Sequence, residues 1–192
     1  MKSKFLGDSY DIVKQCLLRW LGALGPWATQ PMFTGDITDN DINRYERLLG
    51  TRILSTIALT NNMERNTYFS SARECNEHVF FDPDTGIRLG QPRGKKALAY
   101  IFGDELIEIA GINPDKLVLV FDQSFARGSE KEQLKIKLRH FREGSVHSVA
   151  YVSHACFVLL CKNEDLIEQA FEILLSESRL PRGRFVTDKE AL

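Results

Sequence analysis

The sequence has little that points to a membrane or to a polyanion. Its 192 residues carry a formal net charge of −1, and no apolar run approaches the roughly 18 residues that a membrane-spanning helix needs. Lys2 and Lys4 precede only a short apolar segment before Gly7, which is not the pattern of a secretory signal peptide. We therefore expect a cytoplasmic protein without a membrane partner. Any contact with nucleic acid must come from a local basic patch.

Cysteine and glycine motifs are also missing. The four cysteines form no C-x-x-C pair and lie inside apolar segments, which favours reduced core thiols over disulfides or zinc ligands. The four histidines are scattered, without metal-ligand spacing. Neither Gly-x-Gly-x-x-Gly nor Gly-x-x-x-x-Gly-Lys-Ser/Thr occurs, which argues against dinucleotide-binding and P-loop sites.

Helical and strand patterns alternate along the chain. Apolar spacing predicts helices over 10–24, 40–49, 63–74, 97–110, 130–141 and 164–176, and strands over 27–33, 52–57, 78–82, 116–122, 146–152 and 155–161. Only two residues separate the last two strands, so they are expected to form an antiparallel hairpin or one bent strand. The pattern predicts a single domain over 1–192, a three-layer α/β fold whose mostly parallel sheet ends in an antiparallel C-terminal element.

The stretch from His78 to Gly86 has the strongest functional signal. Its apolar run of Val, Phe and Phe is typical of a strand covered on both faces, and it ends in Asp82. Pro83 and Gly86 predict a sharp turn that holds Asp82 and Asp84 at the carboxyl edge of the sheet. Ligands of open α/β sheets bind at that edge.

A second apolar strand ends in Asp122, and if the two strands are parallel neighbours their carboxylates are expected to converge. Asp8 and Asp36 are candidates to join them. Such oxygen ligands suit Mg²⁺ or Mn²⁺, and with a phosphate anchor they would make a phosphodiesterase site. The candidate anchors are Lys95, Lys96 and Arg127. The alternative is that these aspartates are ordinary turn and cap residues.

Two named phosphate-chemistry motifs are not met. Haloacid-dehalogenase-like phosphatases need Thr or Val at the fifth position of the Asp82 motif, where Gly86 stands. Nucleases with an Asp/Glu-x-Lys element need an acid two residues before Lys95 or Lys96, where Arg93 and Gly94 stand. His154, between two strands, is a further candidate at a cleft, with a backbone-bonded loop histidine as the alternative.

Basic residues collect in three places. The segment 88–96 and the tail at 179–184 would form a phosphate-tracking groove if both lie along the carboxyl edge. The basic residues of 131–142 are interleaved with glutamates, so a solvated helix face is expected there. Nucleic acid is thus a candidate partner.

The chain resembles an uncharacterised bacterial α/β family. The resemblance rests on Gly7-Asp8 with Lys14, on the strand-Asp-Pro-Asp-Thr-Gly motif ending at Gly86, on Lys95-Lys96 with Tyr100 and Asp104-Glu105, and on Asp122-Gln123. More distantly it is similar to ribosomal RNA adenine methyltransferases and to three-Cys-motif partner proteins. Those groups share a Gly-x-x-x-Asp-x-x-Lys helix, comparable to Gly7, Asp11 and Lys14, and an Asp-Pro at a strand end, comparable to Asp82-Pro83.

The resemblance implies a Rossmann-like fold, and with it a function in methyl transfer. S-adenosylmethionine sites need a glycine-rich turn after the first strand, whereas 31–36 offers one glycine, so Mg²⁺ or Mn²⁺ is the preferred cofactor. The leading hypothesis is a nuclease or phosphodiesterase with Asp82 and Asp84 as metal ligands and Asp122 as a third ligand or general base. The alternatives are a methyltransferase-like protein, active or degenerate, and a noncatalytic protein-binding module.

Overall fold

A seven-stranded sheet forms the centre of the protein, in a computed structural model that describes residues 6–35, 37–90, 95–126 and 128–191. The strand order is β2-β1-β3-β6-β8-β7-β9, and β4 pairs with β5 in a separate two-stranded sheet. The strands are β1 (Trp27–Pro31), β2 (Arg52–Ile53), β3 (His78–Asp82), β4 (Gly86–Arg88), β5 (Tyr100–Phe102), β6 (Val118–Asp122), β7 (His147–Tyr151), β8 (Cys156–Cys161) and β9 (Phe185–Thr187).

Five strands of the large sheet run in one direction. β1, β2, β3 and β6 pair in parallel, and β7 shares their direction because both β6 and β7 pair antiparallel with β8 between them. β9 closes the edge antiparallel to β7. The predicted mostly parallel sheet with an antiparallel C-terminal element is confirmed.

Helices cover both faces of this sheet. The described α-helices are α1 (Ser9–Leu21), α2 (Asp39–Leu49), α3 (Arg65–Tyr68), α4 (Ser70–Glu74), α5 (Gly103–Ile112), α6 (Glu130–Glu143) and α7 (Glu164–Ser178). Buried residues of α1, α2 and α7 pack with Phe80 on one face, and those of α4, α5 and α6 pack with Val79 and Phe81 on the other. The fold is therefore a three-layer, Rossmann-like α/β architecture.

The alternating direction of side chains along β3 explains these two cores. Val79, Phe80 and Phe81 are fully buried, since successive side chains of a strand point to opposite faces and both faces are covered here. Each such side chain stabilises the fold by about 1.5–3 kcal/mol. A polar group at the end of this strand must therefore find a partner inside the protein.

Side chains cap the first two helices. Asp8 caps α1, where its Oδ1 accepts hydrogen bonds from the backbone N–H groups of Tyr10 and Asp11. Thr38 caps α2 and forms a capping box with Asp41. The Ser129 side chain, just before α6, does not cap that helix, because its hydroxyl donates to the carbonyl of Ala126.

The helix predicted over 97–110 is wrong in its first part. Residues Lys95–Ala99 form a 3₁₀ turn and Tyr100–Phe102 form β5, so that α5 begins only at Gly103. Tertiary contacts override the local helical pattern here, because β5 pairs in parallel with β4. The helical spacing of Leu98, Ile101 and Phe102 was coincidental, and β5 places Tyr100 beside the carboxyl edge.

The cysteines are free thiols, as the sequence predicted. Burial raises the pKa of Cys156 and of Cys161 to about 11, so both thiols are protonated at neutral pH. None of the described helices is long and apolar enough to cross a membrane.

His78 is a buried histidine held between two backbone groups. Its Nδ1 accepts a hydrogen bond from the N–H of Leu117 at 3.1 Å, so Nε2 carries the proton and donates to the carbonyl of Leu24 at 3.2 Å. Burial lowers the pKa of His78 below 6.5, an effect that the Leu24 carbonyl opposes and nearby Lys116 reinforces. The neutral imidazole is therefore part of the folded state.

We expect the free energy of unfolding to fall as the pH falls below 6.5. In that range the unfolded chain takes up a proton at His78 and the folded chain does not, so stability is lost down to the lower folded pKa. Urea unfolding from about pH 8 to about pH 5, the range in which histidine changes charge, measures the loss. His78→Gln should flatten the profile, and parallel profiles for the two proteins would contradict this role.

Candidate functional site

The carboxyl ends of β1, β3 and β6 lie side by side, so the condition that the strands ending at Asp82 and Asp122 are parallel neighbours is met. Pro31 pairs with Asp82 across β1 and β3, and Phe81 pairs with Val120 across β3 and β6. β2 and β3 lie on opposite sides of β1. The carboxyl edge between β1 and β3 is therefore the switch point at which open α/β sheets bind ligands. The candidate residues Asp82 and Asp122 both end strands at this edge.

The two aspartates nevertheless point to opposite faces of the sheet. Asp82 follows Phe81 and shares the side of Phe80, towards α1 and α2, where its hydrogen-bond partners lie. Asp122 shares the side of Val120, towards α6, where Lys137 meets it. The expected convergence of these carboxylates is therefore wrong, because Asp82 is level with Phe121 and Asp122 lies one residue further along.

Asp82 is buried in a cluster of charged and polar side chains. Only 1% of the residue is exposed, and Lys14 Nζ lies 2.9 Å from its Oδ1 and 3.0 Å from its Oδ2. The hydroxyl of Tyr45 also donates to Oδ2, at 2.5 Å. Both oxygens of Asp82 are thus bonded within the protein.

The same cluster contains the residues on which the methyltransferase-like resemblance rests. Lys14 also donates to Asp11 Oδ1 at 2.8 Å, and Asp11 Oδ2 accepts the N–H of Gly7 at 2.8 Å. Gly7, Asp11, Lys14 and Asp82 therefore form one continuous chain of hydrogen bonds, which fixes the start of α1 to the end of β3. We call these residues together with Tyr45 the Lys14 cluster.

Two groups of the Lys14 cluster, Lys14 and Tyr45, are protonated at neutral pH. Burial acts to lower the pKa of Lys14, but the carboxylates of Asp82 and Asp11 outweigh burial and raise it above its ordinary value. Burial, and next the negative charge of Asp82, raise the pKa of Tyr45 well above its ordinary value. The ammonium group also lies 4.7 Å from the centre of the Phe121 ring, which leaves it enclosed by protein groups.

Asp122 has a second set of partners on the other face. Its Oδ2 accepts a hydrogen bond from Lys137 Nζ at 2.6 Å. Its Oδ1 accepts from the N–H of Ile87 at 3.0 Å and from the hydroxyl of Ser124 at 2.7 Å. The residue is completely buried. Asp122 thus joins the end of β6 to β4 and α6.

These contacts bear directly on the metal hypothesis. Nowhere within the described ranges do three or more His, Cys, Asp or Glu side chains come together as a group that would hold a metal ion. Asp84 is half-buried in the turn after Pro83, but Asp82 would have to leave Lys14 and Tyr45 to bind a cation. The residues present do not fit a two-carboxylate Mg²⁺ or Mn²⁺ site, and metal binding at Asp82 and Asp84 stays a prediction.

The other candidate residues have separate positions. Asp8 is the cap of α1. His154 is exposed in the turn between β7 and β8, with its ring centre 5.1 Å from that of Tyr10. Asp36, Arg127 and the side chains of Lys95 and Lys96 lie outside the described part of the chain.

A cavity of about 300 Å³ opens beside Asp122. It lies between β4, β5, the turn after β6 and one face of α6, and we call it the Arg88–Lys137 cavity. Its polar lining consists of Arg88, Tyr100, Ser124, Gln133 and Lys137. The sequence did not predict this site, because β5 was predicted to be part of a helix. The one sequence signal for it is that Arg88 belongs to the basic segment 88–96.

The cavity combines positive charge with an aromatic ring. The Arg88 side chain is exposed, and its guanidinium carbon lies 5.5 Å from the centre of the Tyr100 ring. Lys137 reaches in from α6, where its Nζ lies 2.6 Å from the Ser124 hydroxyl. Burial lowers the pKa of Lys137, and the carboxylate of Asp122 opposes that effect.

A half-buried arginine, Arg65, fixes the strand that carries Tyr100. Arg65 bonds Glu105 at 2.6 and 2.8 Å and donates to the carbonyl of Tyr100 at 3.0 Å. Its guanidinium carbon lies 4.4 Å from the centre of the Phe102 ring. Because bidentate arginine–carboxylate pairs set direction as well as distance, this contact holds β5 in place beside the cavity.

The chain matches none of the models of known protein families, none of the curated proteins and none of the solved structures with which it was compared. The family resemblance therefore stays a prediction that rests on its motif residues.

Proposed function

We propose that this protein binds nucleic acid, and that the Arg88–Lys137 cavity is where the phosphate backbone is held. The proposal rests on the exposed Arg88 guanidinium, which lies 5.5 Å from the centre of the Tyr100 ring at a cavity that also contains Gln133. Arginine and amide groups of this kind hold phosphate oxygens, and aromatic rings hold bases.

The positive charge at the cavity is local. The net charge of −1 means that no general attraction to polyanions operates, so binding must depend on Arg88 and its neighbours in the cavity and must weaken with salt. The proposal concerns binding and includes no hydrolytic step, because Asp82 and Asp122 are each bonded to a buried lysine.

Arg88→Gln is expected to weaken binding of a fluorescently labelled oligonucleotide about tenfold or more in an anisotropy titration. A hydrogen bond to a charged group contributes about 1.5–3 kcal/mol, and loss of one phosphate contact should lower the salt slope by about 1. A chelator should leave the affinity unchanged, since the proposed contacts need no metal.

Arg47→Gln is the matched control. Arg47 is also exposed, but it lies beside Trp27 at the amino edge of the sheet, and its loss removes the same charge from the opposite edge. We expect wild-type affinity for this variant. Equal losses in both variants, or no binding at low salt by the wild-type protein, would contradict the proposal.

A methyltransferase-like domain is the second candidate. It is favoured by the hydrogen-bonded chain from Gly7 through Asp11 and Lys14 to Asp82, since the residues of that resemblance are physically coupled. The residues do not fit a bound S-adenosylmethionine well, because 31–36 contains one glycine and Asp82 is already bonded. A rise in melting temperature with S-adenosylmethionine would favour this candidate.

A further inference from the structure

The Arg88–Lys137 cavity has an apolar wall that phosphate binding does not use. Ile136 is 56% exposed on α6, and Leu89 and the Tyr100 ring are half-buried beside it. Ser124, Gln133 and Lys137 provide hydrogen-bonding groups elsewhere in the same lining. A ligand that satisfies both parts needs a flat apolar face, polar edges and an attached phosphate.

We infer that the cavity takes one unpaired nucleotide, so that the protein recognises single-stranded rather than duplex nucleic acid. This inference rests on the proposed function and specifies its ligand. A base would lie against Tyr100 and Ile136 while its edge bonds the amide of Gln133 and its phosphate bonds Arg88. Only a base outside a duplex presents its face in this way, because paired bases are stacked on each other.

The size and construction of the cavity agree with this ligand. A volume of about 300 Å³ is at the small end of ligand sites, so it suits one nucleotide and no duplex segment. Arg65 donates a hydrogen bond to the backbone carbonyl of Tyr100. This bond fixes the backbone that carries the ring before a ligand binds. Pre-positioned aromatic side chains hold bases of any sequence, since every base has a π-face.

The experiment compares Tyr100→Leu and Tyr100→Phe with the wild-type protein. Leu keeps apolar volume without an aromatic ring, and Phe keeps the ring without the hydroxyl. We expect Tyr100→Leu to weaken binding of a single strand about tenfold and Tyr100→Phe, which keeps the ring, to weaken it much less. Ribo- and deoxyribo-oligonucleotides are titrated separately, and a duplex of the same sequence and inorganic polyphosphate are added as competitors.

A fluorescent base shows whether the Tyr100 ring contacts the bound base, which a change in protein stability alone would not alter. Fluorescence of 2-aminopurine in the single strand should be quenched by the wild type and by Tyr100→Phe, but much less by saturating Tyr100→Leu. If Arg88→Gln weakens binding while Tyr100→Leu binds and quenches like the wild type, or if duplex competes equally, the inference is overturned and the proposed function stands. If no oligonucleotide binds, the proposed function itself fails.

Discussion

Lys14→Met is expected to lower the free energy of unfolding by about 3–5 kcal/mol. Removing one partner of a buried ion pair leaves an uncompensated charge in the interior, which costs about that much. In this protein two carboxylates would lose their partner, because the Lys14 ammonium group bonds both Asp82 and Asp11. These residues are only 1% and 2% exposed. Urea unfolding followed by circular dichroism measures the change. Lys162→Met, at an exposed lysine, is the matched control and should change stability by less than about 0.5 kcal/mol.

A second substitution tests whether the cost comes from Asp82. In the double variant Lys14→Met with Asp82→Asn, the buried group at position 82 is neutral and can still accept the Tyr45 hydroxyl. We expect the double variant to be more stable than Lys14→Met alone. With the single variant Asp82→Asn measured as well, the cycle gives the coupling energy of the Lys14–Asp82 pair. A Lys14→Met protein within about 1 kcal/mol of the wild type would mean that the cluster does not hold α1 to β3.

Gly86→Ala is expected to destabilise the protein by about 3 kcal/mol or more. Gly86 has φ +134°, and a Cβ there would lie 2.1 Å from Asp122 Oδ1 and 2.9 Å from the Asp122 Cα. The carboxylate would have to move, and its bonds to Lys137 and to the N–H of Ile87 would be lost. The expected loss thus combines backbone strain with a broken buried network.

Gly50→Ala separates these two costs. Gly50 ends α2 with φ +69°, and a Cβ there would meet nothing within 4 Å. Its replacement should cost only the left-handed backbone, about 1–2 kcal/mol. Equal losses at Gly86 and Gly50 would show that Asp122 is not held against Gly86. A larger loss at Gly86, together with weaker oligonucleotide binding, is the expected result because Asp122 also positions Lys137 and Ser124.

The fold was largely predictable from local patterns. The run from Val79 to Phe81 has no polar alternation, which predicted a strand covered on both faces, and the structure buries all three side chains. The antiparallel pairing of β7 with β8 was one of the two arrangements expected for two β-type runs separated by two residues, the other being one bent strand. In both cases the signal is short-range, so tertiary structure did not have to be known.

The surroundings of the candidate site residues were predicted less well, because their partners are distant in sequence. Asp82 was correctly placed at the end of β3, but Lys14 is 68 residues away and Tyr45 is 37 residues away. Nothing in the motif itself indicates that both oxygens of Asp82 are bonded. The opposite directions of Asp82 and Asp122 depend on the register of β3 with β6, and a shift of one residue reverses a side chain.

The cavity was missed for a related reason. The spacing of Leu98, Ile101 and Phe102 fits a helix, and pairing of Tyr100–Phe102 with Gly86–Arg88 overrides that local preference. Without β5, Tyr100 has no predicted place near Arg88. Parallel pairing of two three-residue strands leaves almost no pattern in a sequence, and only the three-dimensional structure brings these residues to one site.

The proposed nucleic-acid site is the Arg88–Lys137 cavity and not the switch point between β1 and β3. Titration of the ¹⁵N-labelled protein with an unlabelled single-stranded oligonucleotide, followed by NMR, distinguishes these two positions. We expect the largest amide shift changes at Arg88, Leu89, Tyr100, Ser124 and Gln133. Changes concentrated at Thr34, Gly35 and Asp84, with the amide shifts of the cavity residues unchanged, would show that the proposed site is wrong.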